Sequence, residues 1–197
     1  MSRAIVEGMS TPVNLSAIPD DLPVPENDGA CDHLAGRSMP AISLPSTGGG
    51  EVNLGDLKGR HVLYCYPRTG QPGAALPSGW DSIPGARGCT PEACNFRDHH
   101  AELRELGVAG VYGLSTQDTA YQKEAAERLK LAFPLLSDEK LAFVNAMNLP
   151  TFVADGMTLV KRVTMVIDDG KITKVFYPVF PPDKAAEVVA DWVRTNR

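Results

Sequence analysis

Two cysteines five residues apart carry the strongest chemical signal in this sequence. They lie in Gly88-Cys-Thr-Pro-Glu-Ala-Cys94-Asn-Phe-Arg-Asp98, where Cys89 follows a glycine and precedes a helix whose start Pro91 suits. The first turn of a helix presents unpaired N–H groups and partial positive charge, which favour a thiolate over a thiol. The thiolate is the nucleophilic form of cysteine, so Cys89 is a candidate nucleophile. Cys94 poses a geometric question. Five steps along one regular helix give a rise of about 7.5 Å, a lateral offset of about 4.3 Å and a Cα separation of about 8.7 Å. A disulfide tolerates at most ~7 Å, so bonding the pair requires the first turn to unwind.

The other thiols and imidazoles carry weaker signals. Cys65 falls inside an apolar run and reads as inert core, whereas Cys31 falls in a polar tail and reads as an exposed bystander. Cys31 gains a second resolving role only if that tail reaches the site. Cys89, Cys94, His99 and His100 give a C-x4-C-x4-H-H spacing that matches no common zinc pattern, and adjacent helical histidines diverge by about 100°. No metal and no cofactor is expected. The absence of a CxxC pair argues against a thioredoxin-type dithiol oxidoreductase.

The elements that must position these residues follow from local pattern. Ala41–Leu44 and Glu51–Leu54 are short strand candidates around a glycine-rich turn, and His61–Tyr66 is a buried central strand. Residues 68–88 hold five glycines, three prolines and Trp80, a loop longer than compact domains usually leave without a role. Trp80 either covers the site or anchors that loop. A helix from Pro91 to Leu106 follows, then a strand over Val108–Leu114, with Ser115 or Thr116 as the cap of the next helix. That helix shows Tyr121, Ala125 and Leu129 at helical spacing. Phe133–Leu136 is a strand candidate and Glu139–Met147 a helix. Leu159–Ile167 and Ile172–Tyr177 are strands flanking the hairpin signal Asp168-Asp-Gly170. Asp183–Arg194 closes the chain as a helix with Ala185, Val188, Val189 and Trp192 inward. The alternation predicts an α/β protein of thioredoxin-like fold, a central mixed sheet with helices on both faces.

Composition bounds the function. The 197 residues are 43% hydrophobic and 22% charged with a formal charge of -5, ordinary for a globular chain. That charge resides in residues 1–32, where six carboxylates face Arg3 alone; the remainder holds 18 acidic and 18 basic side chains. No basic face is implied, so neither nucleic acid nor membrane is an expected partner. No apolar run reaches the ~18–20 residues of a membrane span, and MSRAIVEGMS lacks the apolar core of a signal peptide. The expected location is cytoplasmic. Residues 1–38, with Pro12, Pro19, Pro23 and Pro25, read as an extended acidic arm, and 39–197 as the domain carrying the 68–88 loop.

The cysteine segment resembles the active-site helix of the bacterioferritin-comigratory, or Q-type, peroxiredoxins. The resemblance covers roughly residues 38–195. It includes Leu54-x-x-Leu57-x-Gly59, Tyr66-Pro67, Ser115-Thr116 and Arg162-Val-Thr-Met-Val-Ile-Asp168. It implies a thiol-dependent peroxidase acting on hydrogen peroxide or organic hydroperoxides. Cys89 would be the peroxidatic cysteine, oxidised to a sulfenic acid that Cys94 resolves as an intrachain disulfide; thioredoxin or a similar dithiol protein would reduce it. Arg162 would stabilise both the thiolate and the charge leaving on oxygen. The resemblance leaves two other readings open, a one-cysteine peroxidase using an external thiol and a redox sensor or binding module on the same fold without turnover. A monomer or homodimer is expected.

The sequence departs from the family pattern at one place. A proline, three residues, a threonine and two residues ordinarily precede the peroxidatic cysteine, but positions 82 and 86 are Ser and Ala. Pro67 resembles the family proline, yet Cys89 lies 22 residues beyond it. Thr69 is the favoured replacement donor if the loop folds back over Cys89. Ser82 and a backbone N–H are the alternatives.

Overall fold

The computed structural model describes residues 14–196. Its centre is a five-stranded sheet in the order β5-β4-β3-β8-β9, where β3 is Arg60–Cys65, β4 Val108–Ser115, β5 Leu135–Ser137, β8 Val163–Asp168 and β9 Lys171–Phe176. β3, β4 and β5 run parallel, whereas β8 is antiparallel to β3 and β9 to β8, so the sheet is mixed as the element order predicts. Two small antiparallel pairs flank it: β1 (Ser43–Pro45) with β2 (Glu51–Asn53), and β6 (Thr151–Ala154) with β7 (Met157–Val160). The helices are α1 (Cys89–Asp98), α2 (His100–Glu105), α3 (Thr119–Arg128), α4 (Ala142–Met147) and α5 (Ala185–Thr195). None of these helices is long and apolar enough to cross a membrane.

β3 shows why the sheet is covered on both faces. Val62, Tyr64 and Tyr66 pack with Cys89 and Phe96 of α1 and with Val189 and Val193 of α5. The alternate residues Leu63 and Cys65 pack on the opposite face with Leu34, Phe143 and Met147. Strand side chains alternate by two, so a continuous apolar run feeds two cores at once.

Several boundaries differ from expectation. The Pro91–Leu106 helix begins earlier, at Cys89, and is broken at His99. Both the His99 N–H and its Nδ1 approach the Asn95 carbonyl, at 3.1 and 2.9 Å, so the side chain competes with the helix ladder. The Leu159–Ile167 run is two strands, interrupted at Lys161-Arg162. Asp118, rather than Ser115 or Thr116, caps α3 by accepting from the Tyr121 N–H at 2.7 Å. Val188 of α5 is exposed, and Ala186 and Ala190 join the inward set. The Asp169-Gly170 turn joins β8 to β9 with both residues at positive φ, as a two-residue hairpin loop requires.

Cys31 is not exposed: only 3% of its surface is accessible, and it lies in the same core as Cys65 and Leu34. Residues 14–30 have no regular structure. From Gly36 the chain pairs with β9, through Gly36 N–H to Ile172 O and Met39 N–H to Gly170 O. That pairing covers the sheet edge, which otherwise presents open hydrogen-bonding groups.

Candidate active site

The site begins at Gly88. Its φ of +101° is left-handed, and a Cβ there would stand 2.3 Å from Pro182 Cγ, so conformation and space both demand glycine. The turn delivers Cys89 as the first residue of α1, and the Glu92 N–H closes on the Gly88 carbonyl at 3.0 Å. Cys89 is 4% exposed.

Arg162 meets it from the break between β7 and β8. Its guanidinium is buried, with Nη2 3.3 Å from Cys89 Sγ. The same nitrogen lies 3.2–3.4 Å from the carbonyls of Gly85, Ala86 and Arg87, which line the end of the long loop. Nη1 pairs with Glu92, whose side chain is fully buried. A guanidinium with five donors in a fixed plane is suited to such a hub, because one group orders the loop, the helix and the sulfur together.

The charges in this cluster oppose one another. Burial pushes the Cys89 thiol above its ordinary value and the Glu92 carboxylate adds to that. The Arg162 guanidinium and the Arg68 backbone N–H work in the other direction. Burial likewise raises the Glu92 carboxyl to about 7 despite its bond to Arg162. Burial disfavours the Arg162 cation, but Glu92 and Cys89 reverse this and hold its pKa above the ordinary value. Glu92 Oε1, Arg162 Nε and the hydroxyls of Tyr64, Tyr66 and Thr164 are buried without a hydrogen-bond partner among the described residues.

The structure separates the remaining expected residues. Thr69 is buried, but its N–H and Oγ1 both donate to Gln117 Oε1, at 3.0 and 3.3 Å, and not to Cys89. Ser82 is exposed and donates to Gly79 O. The loop meets the sulfur through the Ala86 carbonyl, which accepts from Cys89 Sγ at 3.6 Å. Pro67 is buried and its carbonyl accepts from Ser115 Oγ at 3.1 Å. Trp80 anchors the loop, packing with Phe152, Ala154 and Leu159 of the β6–β7 hairpin. Cys94 is half-buried on α1, which is an unbroken helix from Cys89, so the separation of about 8.7 Å applies. Cys31 and Cys65 belong to the core on the other face of the sheet from Cys89, which removes any resolving role for Cys31 in this conformation.

Glu92 is the residue that sequence reading missed. The signal was available: an arginine closing an apolar strand, if buried, requires a carboxylate, and Glu92 lies three residues from Cys89 on the adjoining helical face.

The Redoxin family profile matches residues 34–191. Peroxiredoxin Bcp of Escherichia coli K12 is 34% identical over 167 residues, covering 82% of this chain and 96% of the relative. The chloroplastic peroxiredoxin Q of Oryza sativa subsp. japonica is 34% identical over 151 residues, covering 76% of this chain and 61% of its own. A crystal structure of peroxidoxin BcpB from Mycobacterium tuberculosis superposes with a TM-score of 0.65 at 30% identity, covering 83% of this chain and 97% of that one.

Proposed function

The chain belongs to the peroxiredoxin family, thiol peroxidases of the Bcp and Q type, and we propose that Cys89 is its peroxidatic residue. The observation that carries this reading is the 3.3 Å approach of Arg162 Nη2 to Cys89 Sγ at the start of α1. The thiolate attacks one peroxide oxygen, the O–O bond breaks, and the other oxygen leaves as hydroxide or alkoxide while sulfur becomes a sulfenic acid. A guanidinium already in place stabilises both the thiolate and the departing oxyanion. Burial opposes the thiolate in the closed site. Opening to admit peroxide relieves that burial and leaves the guanidinium in position, so reactivity is coupled to opening.

Cys94 then attacks the sulfenic sulfur, expelling water and forming the Cys89–Cys94 disulfide. This step requires the first turn of α1 to unwind, because the intact helix holds the pair about 8.7 Å apart. A thioredoxin-type dithiol protein returns both thiols by exchange. Pro67 and Thr69 serve as positioning residues: their contacts with Ser115 and Gln117 fix the start of the loop that returns to Cys89. The intact helix is the observation favouring a one-cysteine cycle with an external thiol.

The proposed setting is cytoplasmic, for a monomer or homodimer. The arm spans 1–38, with its end from Cys31 seated in the core of the 39–197 domain. Thioredoxin-coupled peroxide consumption tests the scheme. Cys89→Ser abolishes turnover and Cys94→Ser abolishes the coupled rate; a coupled rate unchanged in Cys94→Ser leaves the one-cysteine cycle.

A further inference from the structure

The acidic arm and the long loop meet at a cavity of ≈ 480 Å³, within the range of small-molecule sites. Val24 and Pro25 of the arm form one side, and Ile83 and Pro84 of the loop another. Phe152 of the β6–β7 hairpin, Pro178 and Val179 add to the apolar lining. The arm residues lie outside the 34–191 Redoxin match, and Ile83 and Pro84 belong to the segment that separates Pro67 from Cys89. The arm and the long loop therefore supply more than half of the cavity's lining.

Its position connects it to the chemistry. Arg162 and Gly85 are also in its wall, and Arg162 Nη2 bonds to both the Gly85 carbonyl and Cys89 Sγ, each at 3.3 Å. The Arg162 guanidinium thus touches both the cavity and the sulfur. The rim selects by charge. Glu26 and Asp28 face it, Lys161 is already paired with Asp28 at 3.0 Å, and the charge of Arg162 is met by Glu92. An anionic tail finds two carboxylates and no free cation among these lining residues.

Resting on the peroxidase reading, we propose that this cavity is the specificity site for the hydrocarbon part of bulky, uncharged organic hydroperoxides. The hydroperoxide group is directed past Arg162 toward Cys89. Val24, 63% exposed, and Pro84, also exposed, stand on different chain segments, and neither supports the core. Val24→Trp and Pro84→Trp therefore fill the cavity from two sides without disturbing folding.

The test uses the reduced full-length chain and 2-phenyl-2-propanol, the alcohol product of cumene hydroperoxide, as an unreactive probe followed by NMR. The wild type binds it saturably, and each tryptophan variant weakens binding tenfold or more. The ratio of kcat/KM for cumene hydroperoxide to that for hydrogen peroxide falls by a similar factor. No saturable binding to the wild type, or wild-type affinity in both variants, overturns the proposal. Alcohol binding with no turnover of either peroxide upholds the cavity and removes the peroxidase reading instead. For charge, the wild type favours cumene hydroperoxide over linoleic acid hydroperoxide, and Glu26→Lys narrows that preference by about twofold to fivefold. A wild type that favours the anionic substrate overturns the assignment to uncharged ones.

Discussion

Lys161 and Arg162 are neighbours in the chain, and each holds one carboxylate, but the two ion pairs behave in opposite ways. Arg162 and Glu92 are shut in the interior, with side chains 2% and 0% exposed, whereas Lys161 and Asp28 are 37% and 46% exposed. Hydrogen bonds from Lys161 and Tyr177 pull the Asp28 carboxyl down to about 2, while burial pushes Glu92 up to about 7. The same pairing therefore stabilises the carboxylate where water remains and fails to offset desolvation where water is excluded. The inner pair orders the nucleophile; the outer pair holds the arm beside its cavity.

The contrast can be broken most severely at the inner pair. Arg162→Met leaves Glu92 and the carbonyls of Ala86 and Arg87 buried without their donor, at about 1–3 kcal/mol each, so a loss of about 3–5 kcal/mol is expected in denaturant unfolding. Peroxide turnover by the protein that remains folded falls ~10²–10³-fold, since the donor at the developing charge is gone. A variant of wild-type stability would mean that the pair is not closed to water.

The next effect is in the pH dependence. With its pKa raised from 4.5 to about 7, Glu92 keeps a proton in the folded state that the unfolded chain releases. Its contribution is fully present below about pH 4.5 and is lost as pH rises toward 7, an effect on the order of 3 kcal/mol. Urea unfolding across pH 4–8 therefore shows a fall with pH that Glu92→Gln flattens; an identical slope in both proteins rejects the assignment. Asp28 has the opposite sign, since its lowered pKa supports stability above about 3.8 that is lost as pH falls toward 2.

Two further substitutions are expected to have smaller effects. Tyr64→Phe removes a buried hydroxyl that has no partner among the described residues, and is expected to stabilise by about 1 kcal/mol, read as a higher urea midpoint. Asp28→Asn removes the charge of an exposed pair while its amide oxygen still accepts from Tyr177, and is expected to move the thermal midpoint by less than about 2 °C. A large loss there would place the arm's anchor among the main supports of the fold.

Burial, which decides this contrast, was also what the sequence concealed. The order of strands and helices was legible because periodicity and turn residues are local: the β8–β9 hairpin follows from Asp-Gly, and β3 from its apolar run. The interruption at Lys161-Arg162 was not legible, because Leu159–Ile167 is apolar on both sides of it. Cys31 misled because a proline-rich acidic composition describes residues 14–30 and says nothing of the turn that seats Leu34 in the core. Cys89 was legible from its glycine and helix start. Its long-range partners were less so, since the 21 residues between Pro67 and Cys89 return to Arg162 and the sulfur through the 85–87 carbonyls, and backbone groups leave no trace in side-chain identity.

In the proposed cycle Cys89 takes the oxygen and Cys94 closes on it after α1 unwinds. Adding one equivalent of hydrogen peroxide to the reduced protein, followed by alkylation and peptide mass spectrometry, tests it directly. A loss of two hydrogens is expected in a species linking Cys89 to Cys94, with Cys31 and Cys65 alkylated only after denaturation. A Cys89 sulfenic or sulfinic acid beside a free Cys94, or a link to Cys31 or Cys65, would contradict it.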